Sequence, residues 1–136
     1  MADVTVTAAS VVASDDAVRK TGTAGETITA GQPLYLDAAT GKLKKCINTG
    51  SSEAAAVGIA LHGASLNQPV QYVSDDPEFT VGGTVAAGSI YCVSGTAGGI
   101  APSADLASAD YATVLGVGIS TSKIKLKINA SGVAVP

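Results

Sequence analysis

The chain has few charged and few aromatic residues. Asp, Glu, Lys and Arg make up 14% of its 136 residues and Phe, Trp and Tyr only 4%, although hydrophobic residues reach 46%. Soluble domains usually carry about 25% charged residues. The core must therefore be built mainly from Val, Ile and Leu. A surface with so little charge is expected either to aggregate or to be covered by a partner.

Basic clusters and long apolar runs are also missing. The net charge is -3, and no group of Lys and Arg forms the basic stripe that phosphate neutralisation needs, so we expect no nucleic-acid partner. No apolar run approaches the roughly 18 residues that cross a membrane. Residues 1–4 lack the basic and apolar regions of a signal peptide. We expect a protein made in the cytoplasm, without a membrane partner.

Residues that carry chemistry are scarce. His62 is the single histidine, and Cys46 and Cys92 are the two cysteines. This set supplies no metal site of ordinary ligand count, and no G-x-S-x-G turn surrounds any serine. Free buried thiols are favoured over a disulfide in a reducing compartment. We predict no enzymatic activity, no cofactor and no metal site, with a small hydrolase using His62 and Cys46 as the competing hypothesis.

Two groups of acidic residues are candidate cation ligands. Asp15-Asp16 and the group Asp75, Asp76 and Glu78 supply the carboxylates that Ca²⁺ prefers. Neither group has the Asp-x-Asp-x-Asp-Gly spacing of a calcium loop. We therefore expect solvated turn acids, with a turn at residues 75–78 between strands at 69–74 and 79–81.

An internal repeat organises the sequence. Residues 28–43, ITAGQPLYLDAATGKL, are echoed by residues 85–100, VAAGSIYCVSGTAGGI, at an offset of about 57. Further strands are predicted near residues 57–61 and 111–119, and turns rich in Gly, Pro and Asp separate them. The pattern predicts an all-β fold, as a β-sandwich, a jelly roll or a small β-barrel. We expect two similar halves, about 28–73 and 84–128, in one domain of residues 28–136.

The segment before this domain shows a different pattern. Val4-Thr5-Val6-Thr7 alternates like a strand, whereas residues 13–27 have no period. We predict an extended N-terminal arm over residues 1–27. Such an arm needs a surface to lie on.

One strand near the C-terminus is amphipathic. Lys123, Lys125 and Lys127 alternate with Ile124, Leu126 and Ile128, which gives one cationic face and one apolar face. Two interpretations stay open. The lysines either guard an edge strand against unwanted pairing or bind an acidic partner.

Five stretches together carry a resemblance over nearly the whole chain. They are DVTVTAASVV, GTAGETITAGQPLYLDAATGKL, AAAVGIALHGASLNQPVQYV, IYCVSGTAGGIAPSADLASADYATVLGVGIS and IKLKINASGVAVP. In these stretches the chain resembles the small capsid cement, or head decoration, proteins of tailed bacteriophages. The resemblance implies a β-rich homodimer or homotrimer on the exterior of an HK97-type capsid. Its partner there would be the major capsid protein, whose neighbouring subunits it would bridge.

The resemblance gives the arm and the lysine strand an expected role. We expect the arm to lie across a neighbouring subunit, and the expected capsid contacts are Val4, Val6, Arg19, Lys20, Lys123, Lys125 and Lys127. No catalytic residues are transferred. A different virion part, such as a tail tube, fibre or receptor-binding adhesin, is the alternative function.

Overall fold

The computed structural model describes residues 3–136 and confirms the predicted all-β fold class. About 47% of the chain lies in strands and 4% in helix. The strands form one antiparallel sheet that curls into half a barrel. Two single turns of 3-10 helix, Ala8–Ser10 and Ser103–Asp105, are the helical elements of the described residues.

The strands are short at the ends of the sheet and long at its centre. They are β1 (Val18–Thr23), β2 (Pro33–Asp37), β3 (Lys42–Lys45), β4 (Ala56–Ala60), β5 (Pro69–Thr80), β6 (Ile90–Val93), β7 (Ile100–Pro102), β8 (Tyr111–Gly118) and β9 (Lys123–Ala134). Their order across the sheet is β3-β2-β4-β5-β9-β8-β6-β7. β1 is not part of this order and pairs with β5.

The pairing scheme of the first strands recurs in the last ones. β2 pairs with β3 and β4, and β4 pairs with β5. In the same way, β6 pairs with β7 and β8, and β8 pairs with β9. The two sets of four meet where β5 pairs with β9. The long central strands therefore hold the two ends of the sheet together.

Matched glycines turn the chain at corresponding places in the two sets. Gly31 and Gly88 have φ values of +88° and +83°, a region that glycine enters without the steric cost of a Cβ. The N–H of Gly31 donates to the carbonyl oxygen of Ala60 at 2.8 Å, and that of Gly88 donates to Gly118 at 2.7 Å. Each turn is thereby tied to the strand that pairs with the strand after the turn. The turn at Gly31 is tied to β4, which pairs with β2, and the turn at Gly88 is tied to β8, which pairs with β6.

The curled sheet buries apolar side chains on both of its faces. Tyr72 and Val73 are consecutive on β5 and so point to opposite faces. Val73 belongs to the larger core cluster, which includes the fully buried Phe79 and Leu126. Tyr72 packs against a smaller cluster that includes Leu34. The segment 24–28 contributes to this second cluster and covers the outer face of the first strands.

Three local predictions differ from the structure. Residues 69–80 form one strand with a bulge after Asp76, instead of two strands with an acidic turn between them. Asp76 is fully buried and is not a solvated turn acid. Val18–Thr23, where no strand was predicted, is β1. Sequence alternation could not reveal β1, since its residues are almost all exposed and none joins the core.

Residues 3–17 lie on the same domain. The Val4 N–H donates to the carbonyl oxygen of Ile100 at 2.8 Å, and Val12 forms an isolated antiparallel bridge with Thr80. The strand predicted from the alternation at residues 4–7 is absent, and the segment there is extended without a ladder. Residues 1 and 2 of the predicted arm lie outside the described residues.

Candidate functional site

The amphipathic segment of β9 presents its lysines on one face. Lys125 and Lys127 are exposed and Lys123 is half-buried, whereas Ile124 and Leu126 between them are completely buried. The alternation follows from the two-residue period of a strand. Ile124 and Leu126 anchor the strand in the core, so the backbone that carries the lysines is held in place.

Exposed apolar side chains lie beside these lysines. Val117 on β8 is the register partner of Lys125, and Ile90 on β6 is the partner of Val117. Ile90 is 43% exposed and Val117 is 39% exposed. Ile119, at 44% exposure, donates its N–H to the carbonyl oxygen of Lys123 at 2.9 Å. We call this surface the outer lysine face, and its residues are Ile90, Val117, Ile119, Lys123, Lys125 and Lys127.

The lysines of the outer lysine face make no ion pair within 4.0 Å in residues 3–136. Over residues 3–136, the ion pairs within 4.0 Å join Lys44 to Asp37 and Lys45 to Glu26. The hydrogen bond from Lys44 lowers the pKa of Asp37, and the same bond raises the pKa of Lys44. The lysines of the outer lysine face have no partner at this distance, although Asp75 lies opposite Lys127 across the strands. They can therefore bind an acidic group on another molecule.

Arg19 and Lys20 lie on β1, away from the outer lysine face. Arg19 pairs in register with Val73, and Lys20 pairs with Tyr72. Because consecutive strand residues point to opposite faces, these two side chains cannot meet one flat partner together. Arg19 also donates from Nη2 to the carbonyl oxygen of Ser14 at 3.0 Å. The structure does not bring these two residues together into one site.

Val4 and Val6 contribute to the packing of this chain. Both side chains are half-buried and pack against the larger core cluster. The Val6 side chain lies where a Cβ on Gly31 would have to be, at 2.5 Å from that position. Part of each side chain is therefore used by the domain, and the remaining part is exposed.

The residues considered for catalysis are held by hydrogen bonds or are buried. Nδ1 of His62 lies 2.9 Å from the carbonyl oxygen of Gly63, and Nε2 accepts the N–H of Gln71 at 3.0 Å. The imidazole therefore donates through Nδ1 and ties a turn to β5. Cys46 and Cys92 are free and buried, and burial raises the pKa of both thiols. A thiol held neutral in this way is a weak nucleophile.

Comparison with protein-family models and with the sequences of curated proteins found no match. The described residues contain no group of three or more His, Cys, Asp and Glu side chains that could hold a metal ion. They also contain no helix of the length and apolarity that crossing a bilayer requires.

Sequence reasoning identified the lysines but missed their apolar neighbours. Val117 and Ile119 belong to the run Val-Leu-Gly-Val-Gly-Ile, which is typical of a buried strand. Leu115 within it is indeed buried, and the extra residue of β8 in its pairing with β6 turns Val117 outward. The signal that could have revealed the outward direction of Val117 is Gly116, the residue before it, since a glycine inside a strand often marks a bulge.

Proposed function

We propose that this protein decorates the capsid of a tailed bacteriophage. It binds the exterior of the virion as an oligomer, bridges neighbouring major capsid proteins and stabilises the expanded head. The outer lysine face is the observation that carries the proposal. It offers lysines that make no ion pair within 4.0 Å in the described residues, beside exposed isoleucine and valine, on a chain that is otherwise poor in charge.

The composition of this face suits a flat protein partner. Lysines that stay at the rim of an interface steer an acidic surface into place, while apolar side chains supply the area removed from water. A specific contact needs about 800 Å² on each partner. One chain need not bind tightly, because an oligomer that touches several shell subunits gains from effective concentration.

Stabilisation of the head follows from selective binding. A protein that binds the expanded shell, and not its unexpanded or dissociated forms, shifts the equilibrium toward the expanded shell. Only contacts that differ between these states contribute to the shift. A cement of this kind therefore needs no catalytic group and no cofactor.

We also propose that the domain consists of two similar halves, about residues 28–73 and 84–128. The repeated pairing scheme and the matched turns at Gly31 and Gly88 support this division. Gly58 and Gly116 match as well, because each lies at a register shift opposite the strand that starts its set. Among the architectures considered above, the curl of the sheet favours the small barrel over a sandwich or a jelly roll.

Binding to bare heads tests the function. Purified protein is mixed with expanded heads that lack it, and the heads are sedimented and imaged. We expect saturable co-sedimentation and added density between capsomers. The double variant Lys125→Glu with Lys127→Glu should lose binding, whereas the control Lys42→Glu, on β3 at one end of the sheet, should retain it.

Three results would contradict the proposal or part of it. Wild-type protein that stays in the supernatant at saturating concentration would exclude capsid decoration. Purified protein that assembles into rings or tubes by itself would instead support the alternative function as a tail-tube component. Equal binding by wild type and the double variant would show that a different surface contacts the shell.

A further inference from the structure

Both ends of the sheet are covered by the chain itself. At β3, the N–H of Gly25 donates to the carbonyl oxygen of Leu43 at 2.7 Å, and the N–H of Lys45 donates to Glu26 at 2.9 Å. At β7, the N–H of Val4 donates to Ile100 at 2.8 Å. Covered edges of this kind prevent pairing with other chains.

One further edge lies near the middle of the sheet and is open. β9 pairs with β5 only as far as Lys127, which is opposite Asp75. Asp75 also pairs with Val18 of β1, and Val73 pairs with both β1 and β4, so β1 lies on one side of β5 while β9 and β4 share the other. From this point β4 occupies the side of β5 that β9 would otherwise take. Within residues 128–134, Asn129, Ala130 and Ala134 pair with β8 on one side, and the other side of the segment pairs with no strand of residues 3–136.

The open edge is accessible and uncharged. Residues 129–133 are all exposed, and Val133 is 64% exposed. No Asp, Glu, Lys or Arg occurs in the segment Ile-Asn-Ala-Ser-Gly-Val-Ala. The outer edge of β1, by contrast, carries Arg19 and Lys20. Charged side chains on an edge strand commonly prevent it from pairing with another chain. Apart from the bulge over residues 131–133, which leave the register with β8 and include Gly132 at a φ of +69°, residues 128–134 have no such guard.

We propose that residues 128–134 pair antiparallel with the same segment of a second copy of this chain. The pairing would join the two curled sheets into one continuous sheet about a two-fold axis near Ser131. An identical edge is the natural occupant, because a two-fold interface needs only one self-complementary patch. In this register Asn129 lies opposite Val133 of the partner, and Lys127 lies opposite the partner's Val135. The arrangement places no like charges opposite each other.

The inference rests on the strand edge and not on the proposed function. If both hold, each dimer carries two outer lysine faces, which gives the two attachment points that bridging requires. Because it concerns the isolated protein, it can be tested without a capsid. A failure here would leave binding to heads untouched, and a failure to bind heads would leave the dimer untouched.

Cysteine cross-linking tests the geometry. In an antiparallel pair, a residue close to the two-fold axis faces its own copy at a separation that a disulfide can span. Asn129→Cys, Ser131→Cys and Val133→Cys are each exposed to a mild oxidant. Thr40→Cys, in the exposed turn between β2 and β3, is the control. The native cysteines are buried and should not cross-link.

We expect the Ser131→Cys variant to give at least about fivefold more disulfide-linked dimer than the control, because only an aligned pair satisfies disulfide geometry. The wild type should sediment as a dimer that dissociates on dilution, and the backbone amides of residues 128–134 should exchange faster once it does. A monomer at every concentration would overturn the proposal. So would a dimer that protects a different segment, or one in which all three cysteines react no better than Thr40→Cys.

Discussion

The carboxylate of Asp76 accepts the backbone N–H of Ser14 at 2.8 Å, across 62 residues of sequence. The Ser14 hydroxyl donates to the same carboxylate, and the N–H of Glu78 donates to it at 3.0 Å. Asp76 is fully buried at the bulge of β5. A single side chain thus shapes the bulge and holds the N-terminal segment on the domain.

Replacing this carboxylate should destabilise the fold. Asp76→Asn removes the charge and puts an amide donor where two N–H groups and a hydroxyl donate. We expect a loss of about 3 kcal/mol in the free energy of unfolding, since hydrogen bonds to charged groups are the strong ones and an unpaired buried group is costly. Chemical denaturation measures the loss. Asp75→Asn, at the exposed neighbouring position, is the matched control and should change stability by less than about 0.5 kcal/mol. Equal effects at both positions would contradict this account.

Gly116 should not tolerate a side chain. A Cβ at this position would fall well inside van der Waals distance of the carbonyl oxygen of Lys125, which belongs to the paired strand and cannot move freely. We expect Gly116→Ala to cost about 3 kcal/mol by overpacking, measured by the denaturation midpoint. Gly95→Ala is the control, because the nearest atom to its Cβ would be Oδ1 of Asn48 at an ordinary 3.4 Å. A neutral Gly116→Ala would show that β8 and β9 can separate locally at little cost.

The thiol of Cys46 should be unreactive until the protein unfolds. Burial raises its pKa far above the ordinary value, so the folded protein keeps it neutral. Above about pH 9 the unfolded chain loses this proton and the folded chain retains it, so the free energy of unfolding should fall as the pH rises. A thiol reagent should label Cys46 in denaturant and not in buffer at neutral pH. Rapid labelling of the native protein would mean that the segment around Cys46 opens locally.

Binding through the outer lysine face should depend strongly on salt. The lysines are exposed, so their attraction to an acidic partner is screened over a Debye length of about 8 Å at physiological ionic strength. We expect raised salt to slow association more than it speeds dissociation, as surface charges mainly steer encounter. Surface interferometry with immobilised heads measures both rates. An association rate that is independent of salt would locate the contact on an uncharged surface.

Alternation predicted the strand in which one face is buried. In β9, Ile124 and Leu126 are buried while the lysines are exposed, so the alternation in sequence matches the alternation of the two faces. The predicted strand at residues 69–74 matches the first half of β5, but Val70 and Val73 there are buried on opposite faces, so alternation does not explain this match. Apolar periodicity is informative only where a strand separates a core from water.

The features that were missed depend on partners distant in sequence. β1 has no buried face, and its pairing is provided by β5. Asp76 looked like a turn residue because its hydrogen-bonding partner, Ser14, lies in a segment without periodicity. The exposed Val117 depends on a bulge between two strands, and local composition does not encode its direction. Long-range pairing thus decided both the extra strand and the apolar part of the candidate site.

The meeting of β5 with β9 at the middle of the sheet also bears on how the chain acquires its fold. The first four strands of the path can pair soon after they are synthesised, but β5 lacks its central neighbour until residues 123–127 arrive. Contacts between segments so far apart slow folding, because the intervening chain must be ordered first. During synthesis the nascent chain therefore carries an incomplete sheet, in which Ile124 does not yet cover the apolar side chain of Phe79. We expect aggregation to compete most strongly with folding during this interval.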